Sequence, residues 1–263
     1  MPAENRDYES AWWRGLMSRR PGRRGRFGGA AKFYPWANVP GCSAFWDSSR
    51  GLVLAGSDVT TAADQATGGV ADPASGAAGL EPQFVASDGG GPCFNFATGR
   101  YFTLTHSTDL DFTAGFTVTG WIRRSVAGIQ QEIWSQANAG NQKLRIVLLA
   151  SNTLAVLEEG GATGDVQVTY GVSLAWRHFA VTYDGSLAAA SRVAVYLDGS
   201  AQSLAINVNF PASLPAVTKD RIAVFAPDDS SAPLNGRLAW LGLWKRALTP
   251  VEVLAVMNYK RRT

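Results

Sequence analysis

Between residues 177 and 197 apolar and polar positions alternate with a period of two. Phe179, Val181 and Tyr183 fall on one face of a strand over 177–183, and Val193, Val195 and Leu197 on one face of a strand over 192–197. β-Branched and aromatic residues dominate both, as a pleated, half-buried surface favours. Each strand runs into Asp-Gly, at Asp184-Gly185 and Asp198-Gly199, where glycine takes a positive φ at little cost. The same patterning predicts strands over 101–104, 132–135, 144–149, 153–157, 166–170, 206–210, 221–225 and 239–244. Phe45-Trp46-Asp47 opens the series, and a stretch rich in Gly, Ala and Asp from 55 to 91 reads as a loop. Near the end, Thr249 as N-cap, Pro250 at N1 and Glu252 at N3 predict a short capped helix, with Leu248 stapled to Val253. Many short strands between turn residues imply an all-β chain, a two-sheet antiparallel jelly-roll sandwich over residues 42–258.

Residues 1–41 break this pattern. Asp7 can cap a short helix over 8–17 that sets Tyr8, Trp12 and Leu16 on one side, with Trp13 and Met17 beside them. Arg19, Arg20, Arg23, Arg24 and Arg26 follow, interrupted by Pro and Gly. Lys and Arg outnumber Asp and Glu by 8 to 3 in 1–41, are outnumbered 13 to 18 in 42–258, and lead 3 to 0 in 259–263. Basic ends (+5 and +3) thus flank an acidic body (−5), which points to an anchoring arm and a basic tail that meet acidic partners. The simpler account of 1–41 is a solvated leader. The tail basics also suit a helix C-terminus. The beginning of the chain carries acids and no apolar run, so the expectation is synthesis in a cytoplasm without a signal peptide; no stretch is long enough to span a bilayer. In that compartment Cys42 and Cys93 are expected as free thiols rather than a pair.

Several segments resemble a known family. Trp176-Arg177-His178-Phe179-Ala180-Val181-Thr182-Tyr183-Asp184-Gly185, followed by Val195-Tyr196-Leu197-Asp198-Gly199, is similar to the central hairpin of laminin-G-like domains in the concanavalin A-like lectin/glucanase superfamily. Phe45-Trp46-Asp47 with Cys93-Phe94-Asn95-Phe96 and Tyr101-Phe102-Thr103-Leu104 resembles the opening hairpin of such domains in phage and bacterial proteins. Residues 107–124, ending near Trp121, and 234–254 resemble a central strand and the closing strand with its helix. The resemblance implies the sandwich fold, a buried Trp121 and a packed His178.

Chemistry is sparse. Glucan-cutting members of the superfamily carry alternating carboxylates on one strand, and no such spacing occurs here. Glu158 and Glu159 are adjacent and read as a solvated turn before Gly160-Gly161. His106 lies beside Ser107 and Asp109, but triads are defined by geometry rather than by adjacency. The cysteines lack zinc-ligand spacing. No cofactor is expected. Calcium, which relatives hold at the sandwich rim, has weak candidates in Asp109, Asp111 and Asp184, with Asp198, Asp228 and Asp229 as further rim acids. The stretch 236–240 lacks the acidic pair that relatives carry there. Trp134, Trp176, Trp240 and Trp244 are the candidates for stacking on sugar rings.

These features lead to an expected non-enzymatic accessory protein of a phage virion, a decoration, spike or fibre module held by its arm to other virion proteins within a large assembly. The alternative is a carbohydrate-binding module for host-surface glycan. A glycan-cleaving enzyme ranks third and nucleic acid is disfavoured as partner.

Overall fold

The structure, a computed structural model, describes residues 32–66, 74–75, 79–89, 91–138, 143–159, 164–223 and 232–259. The arm residues Trp12, Trp13, Leu16, Met17, Arg19, Arg20, Arg23, Arg24 and Arg26, the acids Asp228 and Asp229, and the tail after Tyr259 lie outside them. The chain divides into two units between Lys32 and Phe33.

In the second unit a short helix, α1 (Pro35–Asn38), precedes β1 (Cys42–Asp47), β2 (Leu52–Ala55), β3 (Asp58–Ala62), β4 (Ala74–Ser75), β5 (Gln83–Val85) and β6 (Cys93–Asn95). Next come β7 (Phe102–Leu104), β8 (Gly115–Arg124), β9 (Gln131–Ala137), β10 (Lys143–Leu148), β11 (Thr153–Glu159) and β12 (Gly164–Thr169). The series continues with β13 (Arg177–Asp184), β14 (Val193–Leu197), β15 (Ser200–Ala201), β16 (Ala205–Val208), β17 (Lys219–Ile222) and β18 (Gly236–Trp244), and closes with α2 (Pro250–Met257). The stretch expected as a loop after Ala55 therefore carries β3, β4 and β5, short strands whose alternation is too brief to stand out.

All pairings are antiparallel. One sheet runs β1-β18-β8-β13-β14-β15. The other runs β16-β12-β11-β10-β9-β17-β7-β4-β3-β2. β5 and β6 join the two at one corner. The 177–197 hairpin pairs Phe179 with Leu197, Val181 with Val195 and Tyr183 with Val193. All six point into the core between the sheets, beside Phe116, Val118, Trp134 and Val156. At the second Asp-Gly, Asp198 and Gly199 have φ of 52° and 80°, as a tight hairpin turn requires. Gly185 is needed for a different reason from the one expected: its φ is not positive, but a Cβ there would lie 2.0 Å from the Ala212 carbonyl oxygen.

A second apolar layer covers the outer face of the first sheet. Phe45, Trp121, Ala180, Tyr196, Trp240 and Trp244 point outward and are buried by α2, Tyr259 and residues 34–39. Thr249 and Glu252 form the expected capping box. Arg246 grips Glu252 through two bonds of 2.6 and 2.9 Å, which, with the Thr249 amide, holds that carboxyl down to about 2. Tyr259 donates its hydroxyl to the buried Asp47 carboxylate (2.6 Å), tying the helix end to β1. Residues 33–41, grouped with the arm by composition, belong to this layer: Val39 is buried, its carbonyl accepts from Trp244 Nε1 (3.2 Å), and Pro40 O accepts from Arg246 Nε (2.9 Å).

A chain beginning at Cys42 is accordingly expected to be less stable than one beginning at Phe33 by about 3 kcal/mol. That figure combines the loss of a buried valine with an indole N–H left without its acceptor. Urea unfolding of the two truncations measures it, and equal midpoints would remove residues 33–41 from the fold.

Candidate functional site

The four tryptophans expected to stack on sugar are interior residues. Trp134, Trp240 and Trp244 are fully buried and Trp176 is buried. Trp134 packs between the sheets against Phe112 and Phe116. Trp240 lies stacked on Phe45 (5.3 Å) with Nε1 donating to the Tyr259 carbonyl, and Trp176 joins the same outer layer. All four rings are thus packed into the protein rather than displayed on its surface.

Among the described residues the aromatic side chains that are not buried are Phe33, Tyr34, Trp36 and Phe84. Two of them, Tyr34 and Trp36, meet under one arginine, and Phe84 lines the groove beside it. Pro35 at the first helical position starts α1 and places Tyr34 and Trp36 side by side, with ring centroids 5.1 Å apart. Trp36 is anchored against Phe45 (4.9 Å) and edge-on to Tyr259 (5.6 Å). At the end of β1 the Asp47 carboxylate accepts from both the amide and the hydroxyl of Ser49 (2.9 Å each). This Asx turn projects Arg50 over the Tyr34 ring (5.0 Å) and the Trp36 ring (5.8 Å). Beside Arg50 a groove of about 200 Å³ is lined by Ser48, Ser49, Gly51, Leu52, Leu54 and Phe84. Half-buried aromatics, a guanidinium that also faces the Asp47 carboxylate (3.9 Å) and an apolar floor form a surface that can hold a polyhydroxylated ring: its C–H groups pack on the apolar side chains while guanidinium N–H groups reach its oxygens. Composition grouped Tyr34 and Trp36 with the arm, and Arg50 and Phe84 sit in or beside the presumed loop. The signal that could have found them is the Phe33-Tyr34-Pro35-Trp36 run at the mouth of the domain.

The outer face of the second sheet is polar and self-paired. Arg145 bonds Glu132 and, at 2.8 Å, Glu159. Glu159 is thus an ion-pair partner on β11 rather than part of a solvated turn. Glu158 points the other way, as alternation requires, and is buried in the core. His106 and Asp220, the latter unforeseen from the sequence, form a second interior group. His106 Nδ1 lies 2.7 Å from Asp220 Oδ2, and Nε2 lies 3.2 Å from Asp111 Oδ1. The hydrogen bond that His106 donates to Asp220, more than the nearby charge, raises the His106 pKa above its usual value. Gln136 Nε2 donates to the other Asp220 oxygen (2.6 Å). Ser107 takes no part in this group; its hydroxyl accepts from the Asp109 amide (3.3 Å), so no Ser-His-Asp triad forms there.

Glu158, Leu144, Gln136 and Asp220 stand in one cross-strand row, so the two acids are three strands apart. At roughly 4.8 Å per strand that is about 14 Å, beyond the spacing of a glycosidase carboxylate pair. The weak calcium candidates are not gathered either. Asp184 accepts from Ser186, Asp111 faces His106, and among the described residues no three metal-ligating side chains are placed to hold one ion. Cys42 and Cys93 are not joined by a disulfide. No helix of the described residues is long and apolar enough to cross a membrane.

A family model described as concanavalin A-like lectin/glucanases superfamily, of laminin-G type, matches residues 96–254, more than half of the sequence. The chain belongs to that family. No curated protein matches it. Among solved structures it is similar to domain 4 of AbnA, an extracellular arabinanase from Geobacillus stearothermophilus, in complex with arabinotriose. That likeness has a TM-score of 0.63 and 17% identity, and covers 82% of this chain and 97% of that one. The CBM40 of the Ruminococcus gnavus IT-sialidase, bound to sialyllactose, gives 0.51 and 10%, covering 62% and 95%. A Trypanosoma rangeli sialidase gives 0.55 and 13%, covering 82% of this chain but 32% of that one. At such identities the likeness is one of fold.

Proposed function

We propose that this protein is a non-catalytic carbohydrate-binding module whose sugar site is the Tyr34-Trp36-Phe84 shelf around Arg50. The observation that carries this reading is the half-exposed Arg50 guanidinium, which lies over the non-buried Tyr34 and Trp36 rings and borders a groove lined by Phe84. The presence of sugar ligands in two structures of similar fold supports it without assigning a sugar. The reading needs no cofactor. Glycan-array screening followed by calorimetry tests it. Arg50→Ala, a change at a half-exposed side chain, and Trp36→Ala should each weaken binding about tenfold or more, as truncation at the centre of a binding surface does. Arg50→Ala should leave the melting temperature unchanged. A wild-type protein that retains no glycan, or variants that bind as well as wild type, would sink the proposal.

A second reading supplies a setting, a module displayed on a phage virion with residues 1–31 reaching other virion proteins. Its support is compositional: the aromatic and arginine-rich stretch with its opposite charge balance. Deleting that stretch should abolish incorporation into particles while glycan binding survives.

A further inference from the structure

Glu158 has no counterpart in the site described so far. Alternation along β11 sends it inward with Leu154 and Val156, and the residue is only 2% exposed. Both carboxyl oxygens are buried without a hydrogen-bond partner. A charge so placed is costly unless paired. Arg145, the cation on the neighbouring strand, lies on the opposite face, committed to Glu132 and Glu159. The carboxyl lines a small pocket at the end of the sandwich together with Gln136, Phe112, Leu144, Leu214, Pro215 and Val217. The pocket reaches the surface at Pro215, which is only partly buried. It has room for one group about the size of a water molecule. Gln136 cannot turn its amide toward the acid freely, because Nε2 is held by Leu110 O (2.8 Å) and Asp220. Among the described residues, the pocket lining contains no cation.

We propose that this pocket is a receptor for a single primary ammonium group on an unbranched alkyl stem, with Glu158 as its counter-ion. The ammonium is close to water in size, carries three N–H donors for acceptors that lack them, and presents its charge to the Phe112 ring beside the carboxylate. Leu144, Leu214 and Val217 are the apolar lining past which the stem leaves toward Pro215. A branched or quaternary cation is too large for the space, and an anion meets a carboxyl and no donor left free.

The pocket predicts a sign for pH. Burial, and to a smaller extent the charge of Glu159, pushes the Glu158 carboxyl up to about 7. The ammonium needs the carboxylate, so affinity rises as pH is raised through 7, and binding releases a proton.

The test uses the full chain. n-Butylammonium chloride is titrated by protein NMR at pH 6 and pH 8, with 1-butanol as neutral isostere and tetramethylammonium as the oversized cation. Shifts are expected around Leu144, Leu214 and Val217 with butylammonium alone, tighter at pH 8. Glu158→Gln keeps the shape and removes the charge, and should bind about tenfold more weakly or worse. Glu158→Leu serves as a second variant that fills the site with an apolar group. Nα-Acetyl-lysine amide beside spermidine then separates a lysine side chain from a free polyamine as the source of the ammonium. Equal response of wild type and Glu158→Gln, or 1-butanol binding as well as butylammonium, overturns the assignment.

Discussion

Replacing His178 with leucine should make the sandwich more tolerant of acid than the wild type, by an amount of the order of 5 kcal/mol between pH 7 and pH 3. His178 is fully buried on β13, between Trp121 (5.6 Å) and Trp240 (5.8 Å). Its Nε2 lies 2.8 Å from Thr119 Oγ1, and that hydroxyl already donates to the Phe179 carbonyl, so Nε2 carries the proton and Thr119 accepts it. Nδ1 is then a bare lone pair with no partner. Protonating it creates a buried cation that nothing accepts from, so burial drives the pKa down to about 3 from 6.5.

The folded state therefore binds fewer protons at this site than the unfolded chain between pH 3 and 6.5. Stability is fully present above 6.5 and is lost as the pH falls toward 3, at about 1.4 kcal/mol per unit. Glu158 and His106 titrate with raised pKa values and act in the opposite sense, each favouring the folded state on the acid side. Wild-type stability alone would mix these effects, and the difference between variant and wild type isolates His178. At pH 7 His178→Leu should be the less stable protein by about 1–3 kcal/mol, since it removes a buried hydrogen bond. At pH 3 the order should invert. Urea unfolding at pH 7, 5 and 3 decides; parallel curves for the two proteins would show that His178 is not the acid-sensitive group.

What could be read before the structure follows the range of each interaction. The 177–197 hairpin and the α2 cap were legible because alternation and capping are set within a few residues. The two strands with their inward faces and the Thr249–Glu252 box stand as expected. Glu158 and Glu159 were half legible. Alternation placed them on opposite faces, but the adjacent Gly160-Gly161 suggested a turn, and only the register against β10 shows that one acid enters the core. His106 with Asp220 joins residues 114 apart, which no local pattern can signal. The shelf stayed hidden because composition assigned Tyr34 and Trp36 to a separate arm, while their anchors, Phe45 and Tyr259, come from opposite ends of the domain.

Trp240→Ala should cost about 3–5 kcal/mol, the usual range for deleting a large buried aromatic, with the cavity left behind included. Trp240 ties three parts of the outer layer together. It stacks on Phe45, tilts against His178 and Tyr259, and donates to the Tyr259 carbonyl at 3.2 Å. Its removal loosens the attachment of α2 to the first sheet, and with it the Tyr259 bond to Asp47. That cost is a large share of the 5–15 kcal/mol that holds a domain together. The same substitution also separates a buried support from a binding surface. Were Trp240 a sugar platform, its loss would abolish glycan affinity at 10 °C in a protein whose melting temperature hardly moves. As a packing residue it should lower the melting temperature by several degrees while the folded fraction still binds glycan, because the Arg50 shelf is built from β1, α1 and Phe84. Trp36→Ala should show the reverse balance, with the larger loss in binding. Calorimetry of both variants against one array-selected glycan, with thermal unfolding in parallel, sets them apart, and a Trp240 variant that stays stable but no longer binds would return the site to the interior tryptophans.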